Sequence, residues 1–231
     1  MEFDSADSAA DKIISSIKTE LEYARKTPSG SHLKTGDIRS LSARLYKEIK
    51  NEPIDFVLAV CERLLERRDW VSGVVAFDFA YRMKARYDEK TFEVFEGWLI
   101  RYVRGWGDCD DFCTHAFGEL ICQNTRLAEK TAAWVKRDEF WMRRAAAVVL
   151  IPSIKRDKYN ETNPLTISDI LMSDDHYLVL KGYGWMLKTL SVAEPEIVFD
   201  YLIKNKAAMP RVAYRYALEK FDADKRRELM R

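Results

Sequence analysis

Apolar residues recur at steps of three and four along almost the whole chain, a period that helices satisfy and strands do not. Ile13, Ile14, Ile17, Leu21 and Ala24 form a first stripe, and Leu41, Leu45, Tyr46 and Ile49 a second. Phe56, Val57, Val60, Leu64 and Leu65 form a third, and "WVSGVVAFDFAYRMKARY" and "KTFEVFEGWLIRYV" supply the fourth and fifth. The pattern resumes in 109–122, 126–136, 139–151, 175–190, 195–204 and 211–221, with no credible alternating run between. Nine glycines and six prolines are also too few for the turns of an all-β chain of 231 residues. The fold class expected is therefore all-α. Short helices in close succession pack as antiparallel pairs, and a pair spacing of about 35–45 residues lies in the HEAT-like range, which predicts an α-solenoid. A globular bundle is the alternative. "KTPSGSHLKTGD" interrupts the first stripes, and "KRDKYNETNPLT", residues 155–166, reads as a surface loop. No linker divides the chain, so residues 1–231 are expected to form a single domain.

Charge narrows the partners. With 38 lysines and arginines against 37 aspartates and glutamates, the net charge is +1, and a globally basic nucleic-acid binder is excluded. An anionic partner must be held by a local arrangement of charge. Cys61, Cys109, Cys113 and Cys122 form no CxxC pair, and with His32, His115 and His176 they show no metal-ligand spacing. The thiols are expected to be reduced, with no metal and no cofactor. The acidic N-terminus lacks a signal-peptide apolar run, and no stretch approaches the roughly 20 apolar residues of a membrane span. The expectation is a cytoplasmic monomer without a membrane partner.

Three segments carry more than a helical pattern requires. In "RGWGDCDDF" the apolar residues Cys109, Phe112, Cys113, Ala116, Phe117, Leu120 and Ile121 make one buried face. Asp108 then falls where an N-cap belongs, with Asp110 and Asp111 in the first turn, where negative charge suits the helix dipole. Capping accounts for the acids. It does not account for Trp106, set between two glycines. Asp110 lies at the border of the apolar face, and Asp111 is expected to turn further outward with His115.

The second segment, "RDEFWMRRAAAVVLI", is apolar all round from Ala145 to Ile151, with Asp138 a candidate N-cap. Arg143 and Arg144 sit early in this helix, where the dipole disfavours cations, so carboxylates, a phosphate ligand or solvent must compensate them. In the third, "DDHYLVLKGYGWMLKTL", Gly182 and Gly184 each cost roughly 1 kcal/mol relative to alanine, which predicts a close approach to this backbone. Lys181, Trp185 and Lys188 share one face. Cation, indole and cation suit a sugar–phosphate backbone; a core tryptophan with two snorkelling lysines is the plainer reading.

"GWGDCDDFCTHAFGELI", "WVKRDEFWMRRAAAVVLI" and "LKGYGWMLKTLSVAEPEIVFDYLIKNKAAMPRVAYRYALEKF" together resemble the DNA alkylation repair family of AlkD-like glycosylases. The likeness spans roughly residues 37–221, with "GDIRSLSARLYKEIK" a weaker early match, and is strongest from Trp106 onward. The resemblance implies a HEAT-like α-solenoid whose concave face cradles duplex DNA. It also implies hydrolysis of the N-glycosidic bond of N3- or N7-alkylated, positively charged purines. The family's Trp-x-x-x-Asp falls on Trp106 and Asp110, its helical arginine on Arg144, and its later tryptophan on Trp185. Arg143, Lys181 and Lys188 are expected to contribute to the DNA-binding face. Gly107 stands where the family usually has an acidic residue, Lys188 stands where an arginine is common, and Asp111 leaves a one-residue choice of carboxylate.

The residue inventory suits such a reaction. Glycoside hydrolysis ordinarily uses one carboxyl as acid and a second as base or nucleophile. A cationic alkylpurine leaves as a neutral base and needs no acid, so one carboxylate suffices to stabilise the sugar cation and position water. Indole faces can add cation–π stabilisation. The expected function is a DNA glycosylase of base excision repair acting on duplex DNA with alkylated bases. The alternative is a noncatalytic HEAT-like DNA-binding or protein-interaction module.

Overall fold

The computed structural model describes residues 5–26 and 33–231. His32 and most of the break at "KTPSGSHLKTGD" lie outside the described residues. Everything regular that is described is helical, and no strand occurs among the described residues. None of the described helices is long and apolar enough to cross a membrane. The chain divides into two compact units, Met1–Tyr102 and Val103–Arg231.

The first unit contains α1 (Ala6–Lys26), α2 (Thr35–Tyr46), α3 (Ile54–Leu65), α4 (Trp70–Arg82) and α5 (Glu89–Arg101). The short connection after α3 turns α4 back against it, and α1 and α2 pack on α3 and α4 respectively. Asp69 caps α4 by accepting the Ser72 backbone N–H at 2.9 Å. Asp88 and Thr91 satisfy each other's backbone at the start of α5. Ile13, Ile38, Leu64, Phe79, Phe92, Phe95 and Trp98 are buried here, as the spacing of the stripes requires.

The second unit holds the three segments singled out above. Its elements are α6 (Trp106–Thr114), α7 (Ala116–Gln123), α8 (Ala128–Thr131), α9 (Phe140–Val148), α10 (Ile151–Lys155), α11 (Pro164–Leu171), α12 (Tyr177–Ala193), α13 (Pro195–Asn205), α14 (Arg211–Ala217) and α15 (Ala223–Met230). Helix α9 lies between α6 and α12, and α14 packs on the other side of α12. The apolar run after Arg144 is buried throughout.

Several expected helices are subdivided. The run 109–122 breaks at His115 (φ −121°, ψ −97°). There the Thr114 hydroxyl bonds the Asp110 carbonyl at 2.7 Å, and the His115 ring nitrogen lies 2.9 Å from the Asp111 carbonyl, side chains competing for acceptors of the last turn. Gly118 is required just beyond the break, since a Cβ there would lie 2.2 Å from the Cys113 carbonyl oxygen. The run 139–151 ends as α9 at Val148 because Pro152 has no N–H to continue the ladder. The surface loop closes earlier than expected, with Asn163 in the left-handed region and Pro164 starting α11. Helices α11 and α15 are additions to the sequence reading.

Candidate active site

Helix α6 begins one turn earlier than its acidic cluster suggests. Gly105, in extended conformation, holds the cap position without a side-chain bond, and Trp106 is the first helical residue. Asp108 is therefore not the N-cap. It lies within the first turn, half-buried, and bonds the backbone N–H of Arg104 ahead of the helix. Burial pushes its carboxyl above the ordinary aspartate range against that bond, and Asp111 adds to the rise. Trp106 is 56% exposed. Asp110 follows it by four residues and so lies on the same face, one turn deeper.

Helix α9 delivers the partner. The Arg144 guanidinium donates from Nε to Asp110 Oδ1 at 2.7 Å and from Nη2 to Oδ2 at 2.8 Å, a two-pronged pair. Its third nitrogen donates to the Leu178 carbonyl of α12. Burial opposes the charge on Arg144, but the Asp110 carboxylate outweighs it and the guanidinium is held more firmly protonated. Arg143 turns elsewhere. It donates to both oxygens of Asp174, at 2.6 and 3.4 Å, and to the carbonyls of Arg137 and Asp138. Carboxylates thus compensate both arginines. Asp138 is not the N-cap of α9: that position falls to Glu139, without a side-chain bond, and the Asp138 carbonyl serves Arg143 instead.

Helix α12 explains its two glycines. A Cβ on Gly182 would lie 3.0 Å from Arg144 Cγ and 3.3 Å from its Nη1. The bare backbone is what lets the guanidinium cross to Leu178. A Cβ on Gly184 would meet the Ala213 carbonyl and Tyr216 Cβ of α14, each at 2.9 Å. The expected close approach is real at both positions. Leu178, Gly182 and Trp185 lie at i, i+4 and i+7, so Trp185 continues the stripe that faces Arg144.

Arg144 accordingly joins two stripes, Trp106–Asp110 on α6 and Leu178–Gly182–Trp185 on α12. The two lysines are organised differently, around Tyr216. Lys181 Nζ lies 4.5 Å from the Tyr177 ring centre and 5.4 Å from that of Tyr216, and bonds with both phenols raise its pKa. Lys188 lies 5.9 Å from the Tyr216 ring and is paired with Glu219. Tyr177, Tyr216 and Glu219 were not legible as site residues, because each belongs to an ordinary helical pattern and acquires its place only by packing. Arg143 is not brought into either group.

The Asp110 carboxylate has about four lone-pair sites and gives two to Arg144. Its side chain keeps 19% of its surface exposed, against 6% for Arg144, which leaves room for a water or a developing cation. Asp111 does not turn further outward: its side chain is 16% exposed and its carboxylate lies 3.5 Å from His115. What separates the two acids is the arginine, not exposure. The cysteines are free and buried, and burial drives the Cys113 thiol well above its usual range. No group of three or more His, Cys, Asp or Glu side chains able to hold a metal occurs among the described residues.

Residues 30–221 match the family described as DNA alkylation repair enzyme. The chain belongs to that family. The matched span contains the whole Trp106–Asp110–Arg144–Trp185 set and both lysines of α12. A solved structure described as a predicted DNA alkylation repair enzyme from Enterococcus faecalis has the same fold, with a TM-score of 0.72 and 17% sequence identity. The superposition covers 96% of this chain and 99% of that one. No curated protein sequence matches this member of the DNA alkylation repair enzyme family. Among the described residues its architecture is all-helical, consistent with the helical-repeat fold of DNA alkylation repair enzymes.

Proposed function

We propose that this DNA alkylation repair protein is a DNA glycosylase that hydrolyses the N-glycosidic bond of N3- or N7-alkylated purines in duplex DNA, as part of base excision repair. The observation that carries the reading is the Asp110–Arg144 pair. A buried arginine grips one carboxylate with two bonds, yet that carboxylate stays partly open on the face that carries an exposed tryptophan. A purely structural ion pair has no use for the exposed indole.

In this reading the alkylated purine departs with the electron pair of its glycosidic bond and leaves neutral. Asp110 faces the positive charge that develops on the deoxyribose and orients the water that adds to C1′. Trp106 and Trp185 present their negative π-faces to the same charge, at about 0.5–2 kcal/mol each. Arg144 is a positioning residue, since it touches Asp110 rather than the sugar. Lys181 and Lys188 contact phosphates. Arg143, committed to Asp174, acts by holding the start of α9. The proposal takes the chain as one working domain, a cytoplasmic monomer that needs no cofactor.

Release of methylated bases from duplex DNA treated with a simple methylating agent tests it. Stoichiometric loss of N3- or N7-methylpurine supports the glycosylase. Salt-sensitive duplex binding without base release selects the noncatalytic DNA-binding module. Neither binding nor release leaves the protein-interaction scaffold.

A further inference from the structure

Leu178, whose carbonyl takes the third bond of Arg144, is held at its other polar group as well. Its backbone N–H donates to Nδ1 of His176 at 3.2 Å, and His176 is the N-cap of α12. Helix α9 in turn places that ring. The imidazole stacks on Phe140, with centroids 4.1 Å apart and planes 5° from parallel. The His176 backbone N–H donates to Asp174 Oδ1 at 2.8 Å, and Asp174 is the carboxylate that Arg143 grips. Phe140, Arg144 and Val148 follow one another at four-residue steps on one face of α9. They lie against His176, Leu178 and Gly182 of α12 in that order.

We propose that His176 is a positioning residue for base release. The N–H groups of a first helical turn have no partner within the helix, so that turn is free to tilt unless a cap holds it. The imidazole takes the Leu178 N–H and fixes the residue whose carbonyl anchors Arg144. The guanidinium plane is then set, and with it the direction in which the Asp110 carboxylate is presented. An accepting Nδ1 carries no proton, so the cap is the neutral imidazole. A neutral cap suits this turn, because the Asp174 side chain is only 7% exposed and already engaged with Arg143. A second carboxylate would repel Asp174 and compete for both arginines. Arg143 and Arg144 thus serve one segment from two sides: the first steadies the turn through Asp174, and the second takes its anchor from it. His176 acts only through Leu178 and Arg144. The inference rests on the glycosylase reading and adds to it a residue outside the Trp106–Asp110–Arg144–Trp185 set.

The test is single-turnover release of methylpurine from methylated duplex, measured beside duplex affinity and well below the melting temperature of each variant. His176→Ala removes the cap and is expected to slow release about tenfold, through misplacement of Asp110, with duplex affinity nearly unchanged. His176→Asn keeps an accepting side-chain oxygen at the cap position and is expected to restore most of the rate. A control, Asp222→Ala, removes the cap of α15, where Asp222 accepts the N–H groups of Asp224 and Lys225 at 3.0 and 2.9 Å. It is expected to lose stability but release base at the wild-type rate. Wild-type release by His176→Ala overturns the assignment, as does an Asn variant no faster than the Ala variant. Equal slowing in Asp222→Ala also overturns it, since any lost cap would then suffice. Each of these results leaves the glycosylase reading standing. A wild-type protein that releases no base overturns both.

Discussion

Arg144 on α9 and Asp110 on α6 are joined by two near-parallel hydrogen bonds of 2.7 and 2.8 Å, and the same guanidinium reaches the Leu178 carbonyl on α12. One buried side chain therefore sets the separation of three helices and the orientation of the one carboxylate proposed to face the substrate. Buried charge of this kind stabilises poorly by itself, because desolvation consumes most of the Coulombic gain. Its effect is to hold a geometry, and the consequences of disturbing it differ from residue to residue.

Asp110→Asn is expected to lower release of cationic alkylpurines by about 10²–10³. The amide keeps the shape but cannot offset the charge on the sugar, and its NH₂ faces a guanidinium. Loss of stability of roughly 1–3 kcal/mol is expected alongside, since Arg144 loses an acceptor. Asp111→Asn, whose carboxylate lies beside His115 rather than Arg144, is expected to change release little. Single-turnover base release and urea denaturation of the two variants check this; the reverse ranking assigns the chemistry to Asp111.

Arg144→Lys keeps the charge and discards the fork. A lysine ammonium cannot serve both Asp110 oxygens and the Leu178 carbonyl in one plane. Base release is expected to fall by up to about 10²-fold through misplacement of Asp110, with duplex affinity nearly unchanged. A variant with wild-type release would show that orientation by the guanidinium is dispensable.

The two glycines of α12 separate site from scaffold. In Gly182→Ala the new methyl presses on Arg144, while the helix gains about 1 kcal/mol of propensity. Reduced base release with little change in melting temperature is expected. In Gly184→Ala the obstacle is the Ala213 backbone carbonyl, which moves only with α14, and a stability loss of about 1–3 kcal/mol is expected. Thermal melts with parallel release assays distinguish them, and the opposite ordering would contradict the packing described.

Asp108 makes stability depend on pH. Burial raises its carboxyl above the aspartate range, so the native protein binds that proton more tightly than the unfolded chain. Its contribution is complete at acid pH and is lost as pH rises from the unfolded pKa through the raised native one. Asp108→Asn removes this loss and keeps an acceptor for the Arg104 N–H. The stability of the variant relative to wild type is expected to increase as pH rises from about 3 to 7. A flat difference across that range would count against the burial.

Periodicity determined that the described residues are helical and, along most of the stripes it marked, which face is buried, because apolar spacing states directly which side chains share a face. The resemblance to the family, not periodicity, marked Trp106, Asp110, Arg144 and Trp185 as a set, and the cost of glycine inside a helix read Gly182 and Gly184 correctly as close approaches. Helix ends were less legible. Asp108 and Asp138 have the composition of caps, yet Gly105 and Glu139 hold those positions, since a cap is chosen by where packing lets the backbone turn. Only the tertiary structure decided what the charges do. Arg143 and Arg144 are neighbours with the same local pattern, but helical rotation of about 100° between them points one to Asp174 and the other to Asp110. Lys188 met Glu219, and Lys155 and Lys220 were brought beside Trp185, through contacts between elements some 30 residues apart in the chain. The fold is carried by spacing within each helix, and the site by which faces the helices turn toward one another.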